Sequence, residues 1–210
     1  MIIIEMNRKS SGIAKVLIIS LILINILLLY KIVNQSSKLT HHSLNIDYNN
    51  SFISSLKSSW AASYFTNGQG FPNLYLKNLK DEKISLYDII QGKKTLLLVY
   101  SEVTCNTCID SLIFHCNSLV KQSNGNYKVV GIAFTNNINY LRRFDRINSL
   151  YFPMYWDSHQ KLKDLLKIKK LPAILIINSK GIIVNSFFTE PNLAPLNSPF
   201  FEIANSYLKH

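Results

Sequence analysis

Cysteine, glycine, proline and acidic residues are all scarce in this chain of 210 residues. It has three cysteines, seven glycines and six prolines, and 12 acidic residues stand against 23 lysines and arginines. Few glycines and prolines, together with 48% apolar residues, argue for a folded protein. No metal site is predicted, because neither a second cysteine pair nor a His-x-x-x-His sequence is present to complete a zinc site. The chain also contains no internal repeat.

The shortage of acidic residues gives a formal net charge of +11. Nucleic-acid binding is one possible meaning of such a charge, but the basic residues are scattered along the chain. The densest group, Arg142, Arg143 and Arg146, lies on the polar side of a predicted helix. A solvated face near anionic lipid or an acidic partner explains this pattern better, so we expect no nucleic-acid partner.

One long apolar run lies near the N-terminus, from Ile13 to Val33. Its 21 residues are enough to cross about 30 Å of hydrocarbon as a helix. Arg8, Lys9 and Lys15 are on its N-terminal side, and the positive-inside rule therefore places the N-terminus in the cytoplasm. The sequence predicts a transmembrane anchor held in the lipid bilayer.

A cleaved signal peptide is the alternative to an anchor. The residues after Val33 offer no clear small-x-small cleavage site and no cysteine that could take a lipid. We therefore expect a cytoplasmic segment at 1–12, an uncleaved single-pass anchor at 13–33, and the remainder outside the cytoplasmic (inner) membrane, in a periplasmic or equivalent compartment.

Residues 34–66 are rich in serine, asparagine and lysine, which suggests a polar tether leading to a domain at 67–210. Four large apolar residues recur every four positions in it: Phe52, Leu56, Trp60 and Tyr64. This spacing predicts one amphipathic helix. The sequence does not decide whether that helix lies on the membrane or docks on the domain.

From about residue 67, strand and helix patterns alternate. The predicted strands are a hairpin over Leu74–Lys77 and Lys83–Tyr87, then 95–100, Tyr127–Phe134, Phe152–Trp156, Ala173–Ile177 and Ile182–Phe188. The predicted helices are 105–121, a segment around Tyr140–Ile147, 159–168 and 198–208. This order indicates an α/β fold with a central mixed β-sheet, helices on both faces and an N-terminal β-hairpin.

The pair Cys105 and Cys108 follows the buried strand and begins the next predicted helix. Helix N-termini favour an anion, so this position favours the thiolate of Cys105, the attacking species in disulfide exchange. Cys108 can then resolve the mixed disulfide. A purely structural disulfide over so short a loop would add little stability. Cys116, about 16 Å further along the helix axis, is expected to be buried filler.

Glu102, three residues before Cys105, is the candidate group for moving protons to and from Cys108. A solvated loop carboxylate is the alternative, because loop acids are usually exposed.

Two stretches carry a resemblance to a known family. GFPNLYLKNLKDEKISLYDIIQGKKTLLLVYSEVTCNTC and LKIKKLPAILIINSKGIIV are similar to a redoxin (AhpC/TSA-like) domain of the thioredoxin superfamily, especially membrane-anchored bacterial proteins of the TlpA/ResA type. The resemblance covers about residues 67–208 and implies a thioredoxin-like fold. It also implies a redox-active Cys105–Cys108 disulfide that faces a cis Pro172.

The resemblance also implies how a client would bind. Leu171, just before Pro172, would offer its backbone to an extended peptide, and Thr104 is a further candidate for substrate contact. The chain departs from the family at several positions: Thr104 stands where tryptophan is common, Thr107 where proline is common, and Val99 where thioredoxins carry a buried acid.

The leading hypothesis is a membrane-anchored thiol–disulfide oxidoreductase. It would reduce or isomerise disulfides of extracytoplasmic client proteins, with electrons from a thiol–disulfide donor in the membrane and no cofactor. A thiol peroxidase is one alternative, although residues 98–105 read LVYSEVTC instead of Pro-x-x-x-Thr-x-x-Cys. The other is a tethered assembly or metal-delivery module that uses the fold for binding only.

Overall fold

The computed structural model describes residues 20, 23–31, 48–104 and 106–209. The chain divides into two compact units, Met1–Asn50 and Ser51–His210. In the first unit the described residues are helical and exposed. Across the described part of the chain, no helix has both the length and the apolar character that crossing a membrane requires. The predicted segment 1–12 and most of the predicted anchor lie outside the described residues.

The second unit has alternating strands and helices. Its strands are β1 Tyr75–Asn78, β2 Lys83–Ser85, β3 Thr95–Ser101, β4 Lys128–Phe134, β5 Met154–Trp156, β6 Ala173–Ile177 and β7 Ile183–Phe188. The helices are α1 over 48–66 (51–66 in this unit), α2 Leu86–Ile90, α3 Asn106–Gln122, α4 Ile138–Asn148, α5 Lys161–Leu165 and α6 Asn197–Lys209, with a 3₁₀ helix at Pro191–Leu196. The predicted α/β order is confirmed.

The seven strands form one mixed sheet in the order β2-β1-β5-β4-β3-β6-β7. β3 lies near its centre, parallel to β4 and antiparallel to β6. Alternate residues of β3 enter different cores: Leu98 packs with α3 and α6, and Leu97 packs with α2 and α5. Burial on both faces explains why β3 is an almost continuous apolar run.

The predicted N-terminal hairpin is confirmed, but its second strand is shorter than expected. β2 ends at Ser85, and the following residues form the short helix α2. Leu86, Ile89 and Ile90 are buried together on one face of α2. Their spacing suits a single helical turn better than a strand, and this pattern was missed in the sequence.

Helix α1 packs against β7 of its own unit. The Ser59 hydroxyl donates a hydrogen bond to the Phe188 carbonyl at 2.8 Å, and the Ser63 hydroxyl donates to the Ser186 carbonyl at 2.8 Å. The predicted amphipathic helix therefore exists and docks on the domain. The contacting face is the one with small polar residues, and the large apolar side chains are not on it.

Candidate functional site

The candidate site lies at the edge of the sheet where β3 ends. Val99 on β3 pairs with Ala173 on antiparallel β6. Continued by one and two residues, this register places Pro172 and Leu171 beside the last residues of β3. The turn that leads to α3 starts at the same edge, so the first turn of α3, which contains Cys108, and the proline loop lie at one edge of the sheet.

The Leu171–Pro172 peptide bond is cis, as the resemblance implied. Pro172 is buried, and Leu171 is half-buried against the core that contains Val99. The predicted contact between the Leu171 backbone and a client remains a prediction. Cys105 lies outside the described residues, so its predicted role also remains a prediction.

Thr104 shapes the turn between β3 and α3. The Ser101 backbone N–H donates to the Thr104 hydroxyl oxygen at 3.0 Å, and the Thr104 N–H donates to the Ser101 carbonyl at 3.0 Å. This double link closes a tight turn directly before the first cysteine position. It gives a structural reason for threonine here, and a substrate contact of Thr104 remains untested.

Glu102 lies exposed in the same turn, and its carboxylate is directed toward β4. It accepts a hydrogen bond of 2.8 Å from the hydroxyl of Thr135, the buried residue that follows β4. Burial raises the pKa of Tyr140, and the charge of Glu102 raises it further. Glu102 is thus fixed at the neighbouring strand end, and its proposed proton transfer to Cys108 remains a prediction.

The two described cysteines lie on α3 and are both buried. Cys108 is 4% exposed in the first turn of the helix. Cys116 is fully buried in the core shared with α6, and burial raises the pKa of its thiol. A thiol with a raised pKa is a poor nucleophile, so the prediction that Cys116 is buried filler is confirmed.

A buried polar chain connects α3 to the cis-proline loop, and sequence reasoning missed it. The Thr189 hydroxyl donates to Asn197 Oδ1 at 3.1 Å, and Asn197 Nδ2 donates to Ser111 Oγ at 3.0 Å. The Thr189 backbone N–H donates to the Pro172 carbonyl at 3.3 Å. Asn197 is 1% exposed and Thr189 2%. These hydrogen bonds fix α3, which contains Cys108, relative to Pro172.

An ion pair between Lys170 and Glu190 holds the other side of this loop. Burial acts to raise the pKa of Glu190, but hydrogen bonds from Lys170 and Ser55 and the charge of Lys170 outweigh burial and lower it. The Glu190 carboxylate therefore stabilises the fold at pH values above the ordinary pKa of glutamate. This stabilisation is lost as the pH falls through the lowered pKa of Glu190 in the folded chain. Ser55 belongs to α1, so α1 also supports the loop.

Val103 is the most exposed large apolar residue at this edge, at 89%. It lies between Glu102 and Thr104, at the tip of the turn before the cysteine pair. A single exposed apolar residue in a surface turn is common and does not by itself indicate a binding role.

His115 offers a test of how α3 packs on α6. Its ring stacks on Phe201 with centroids 4.7 Å apart, and burial lowers its pKa. The unfolded chain therefore binds a proton more readily than the folded chain. The free energy of unfolding is therefore highest above the ordinary histidine pKa of about 6.5. It declines as the pH falls from there through the lowered pKa of the folded chain.

We expect His115→Phe to keep the stacking and to flatten the decline of the urea midpoint between about pH 7.5 and pH 5. Urea unfolding of both proteins over this range measures the effect. An equally steep decline in the variant would contradict this account of His115.

Sequence comparison gives a family match over much of this unit. The profile of the AhpC/TSA family matches residues 67–186. This range includes the end of β3, the turn that follows it and the cis Leu171–Pro172 bond. No curated protein matches the chain significantly.

Solved structures provide further similarities. A secreted disulfide oxidoreductase of Mycobacterium tuberculosis, homologous to DsbE of E. coli, is 15% identical with a TM-score of 0.55, over 65% of this chain and 96% of the other. A Chlorobium tepidum protein assigned as the thiol:disulfide interchange protein DsbE is 16% identical with a TM-score of 0.56, over 66% and 97%. A thiol:disulfide interchange protein from a Bacteroides species is 18% identical with a TM-score of 0.52, over 65% and 90%. At such identities the likeness establishes the thioredoxin-like fold.

Proposed function

Because this chain belongs to the AhpC/TSA family, we propose that it is a thiol–disulfide oxidoreductase that acts through Cys105 and Cys108. One observation carries the proposal: α3, with Cys108 of the Cys-x-x-Cys sequence in its first turn, starts at the same sheet edge as the cis Leu171–Pro172 bond. Active groups of open α/β sheets collect at this edge. A buried zinc site or a structural role would need neither the cis-proline loop nor this placement.

In the reducing direction, the Cys105 thiolate attacks one sulfur of a client disulfide. A Cys105–client disulfide forms, and the other client sulfur leaves as a thiolate. Cys108, as a thiolate, then attacks the Cys105 sulfur, which forms the Cys105–Cys108 disulfide and releases the second client thiolate. Two electrons pass to the client, and the two released thiolates take up the two protons lost by the cysteine pair.

The burial of Cys108 suits the resolving role. At 4% exposure, it is shielded from thiols and disulfides in solution. A buried resolving cysteine reacts with its neighbour in the same chain in preference to a second client. We assign the first attack to Cys105 because it directly precedes α3 in the sequence, where a helix N-terminus favours a thiolate.

The proposed location is the outer face of the cytoplasmic membrane, with the anchor at 13–33 in the bilayer. The 21-residue, predominantly apolar segment and the basic residues near its N-terminal end support this placement. Clients would be extracytoplasmic proteins with cysteines, and the oxidised pair would be reduced again by a thiol–disulfide donor in the membrane.

Reduction of a protein disulfide in the presence of dithiothreitol tests the activity. The full-length protein is expected to accelerate the reaction, and Cys116→Ser is expected to leave the rate unchanged because Cys116 is buried filler. A rate equal to that of dithiothreitol alone would contradict the proposal. Consumption of peroxide without disulfide reduction would favour the peroxidase alternative.

A further inference from the structure

Helix α1 presents its two faces in an unusual way. The residues buried against the domain are small, and most carry a hydroxyl: Ser55, Ser59, Ala62 and Thr66. The Ser59 hydroxyl satisfies a backbone carbonyl of β7, and Ser63 does the same one turn later. The helix is therefore held on the sheet by short hydrogen bonds, without using its large apolar side chains.

The opposite face of α1 is apolar and exposed. We call it the aromatic face; it comprises Ile53, Leu56, Trp60, Tyr64 and Phe65. Trp60 is 73% exposed and Tyr64 74%. A surface groove of about 610 Å³ next to it also contains Phe187 and Phe200. An exposed apolar patch that continues over a helix and a neighbouring groove marks an interaction surface.

The charges around the aromatic face are positive. The segment 48–66 contains no acidic residue, and Lys57 is its only charged residue. The Lys169 ammonium group lies 4.6 Å from the centroid of the Phe65 ring. Cations at the rim of a tryptophan- and tyrosine-rich face match the headgroup region of an anionic bilayer, where aromatic rings lie between hydrocarbon and water.

The proposed anchor at 13–33, on which this argument rests, would keep the aromatic face within reach of a bilayer. The apolar run that ends at Val33 is separated from residue 48 by 14 residues, which span at most about 50 Å when fully extended. A second copy or a protein partner would also cover an apolar face. We favour the bilayer because an apolar run precedes α1 in the sequence and because two lysines, Lys57 and Lys169, lie next to this face.

We propose that the aromatic face of α1 docks on the surface of an anionic lipid bilayer. The domain then has a second membrane contact in addition to the anchor at 13–33. Trp60 and Tyr64 lie at the headgroup level, and Lys57 and Lys169 face the lipid phosphates. This contact does not depend on the redox chemistry proposed above.

Tryptophan fluorescence of the full-length protein on vesicles tests this docking, because the chain has two tryptophans and Trp156 is only 8% exposed. The difference between wild type and Trp60→Phe isolates the emission of Trp60. With phosphatidylglycerol vesicles we expect this emission to shift to the blue and to be quenched by brominated lipid. Trp60→Phe replaces an exposed side chain, so the fold is expected to persist.

A matched control places the reporter elsewhere on the same domain. Tyr75 on β1 is 70% exposed, and Tyr75→Trp in the Trp60→Phe background is expected to show neither shift nor quenching. Lys57→Glu is expected to weaken the quenching of Trp60, whereas Lys83→Glu on β2 is expected to leave it unchanged.

Three results would overturn the proposal. Trp60 emission that stays water-exposed on vesicles would show that the face does not meet lipid. Quenching that is equal for the reporter at position 75 would show unspecific adsorption. A blue shift that depends on protein concentration and not on lipid would assign the face to a second copy of the chain.

Discussion

Cys108→Ser is expected to accumulate mixed disulfides between Cys105 and its clients, and Cys105→Ser is expected to form none. Without the resolving thiol, the first exchange step still occurs, but the second cannot release the client. Both variants are expected to lose turnover on the order of 1,000-fold or more, the scale seen when a covalent nucleophile or its partner is removed. Non-reducing electrophoresis and mass spectrometry of the trapped species measure the first effect.

The control for this experiment is Cys116→Ser. Because Cys116 is fully buried in the apolar core, this variant is expected to trap nothing and to keep its turnover. Mixed disulfides at Cys116, or equal trapping by Cys105→Ser and Cys108→Ser, would contradict the assigned order of attack. The trapped proteins would also identify the clients.

Asn197→Ala is expected to lower the free energy of unfolding by about 1–3 kcal/mol, because it leaves buried polar groups without a partner. The Thr189 hydroxyl loses its acceptor and Ser111 loses its donor. Since Thr189 also holds the Pro172 carbonyl, we expect a lower rate of disulfide exchange in the folded variant. Urea unfolding and the reduction assay measure the two effects separately.

Asn205→Ala is the matched control on the same helix. Asn205 is half-buried and donates to Gln122 of α3 at 3.1 Å. It also accepts at 3.3 Å from the Tyr127 hydroxyl, which keeps a shorter hydrogen bond of 2.9 Å to the Leu119 carbonyl without it. Water can replace its hydrogen bonds, so the free energy of unfolding is expected to stay within about 0.5 kcal/mol of the wild type. Equal losses in both variants would show that the buried chain has no special role.

The sheet and the position of Cys108 in the first turn of α3 could be predicted because their signals are local. The apolar run of β3 requires burial on both faces, and the Asn178–Gly181 segment carries the residues of a tight turn. In the structure, the Asn178 side chain accepts from the Lys180 and Ile182 N–H groups, and Gly181 has a φ of 76°. Such features need no knowledge of distant residues.

The buried polar chain could not be predicted, because its members are far apart in sequence. Asn197 and Ser111 are separated by 86 positions, and an asparagine just before a helix normally reads as an exposed cap. Only the packing of α6 on α3 brings the two side chains together. Long-range pairing of this kind leaves no periodic signal in a single sequence.

Helix α1 shows the limit of reading apolar periodicity. The spacing of Leu56, Trp60 and Tyr64 predicted a helix, and the helix is present. An apolar stripe usually faces the core, yet here the serine face contacts β7. The pattern therefore indicates the existence of the helix but not the surface that its apolar side faces.

The most direct test of the account is a redox titration of the full-length protein against glutathione, with alkylation and peptide mass spectrometry. We expect Cys105 and Cys108 to lose their labels together in one two-electron transition, while Cys116 is labelled after unfolding at every potential. Independent labelling of Cys105 and Cys108 across the whole range, or a disulfide that includes Cys116, would contradict the assignment of a redox-active pair.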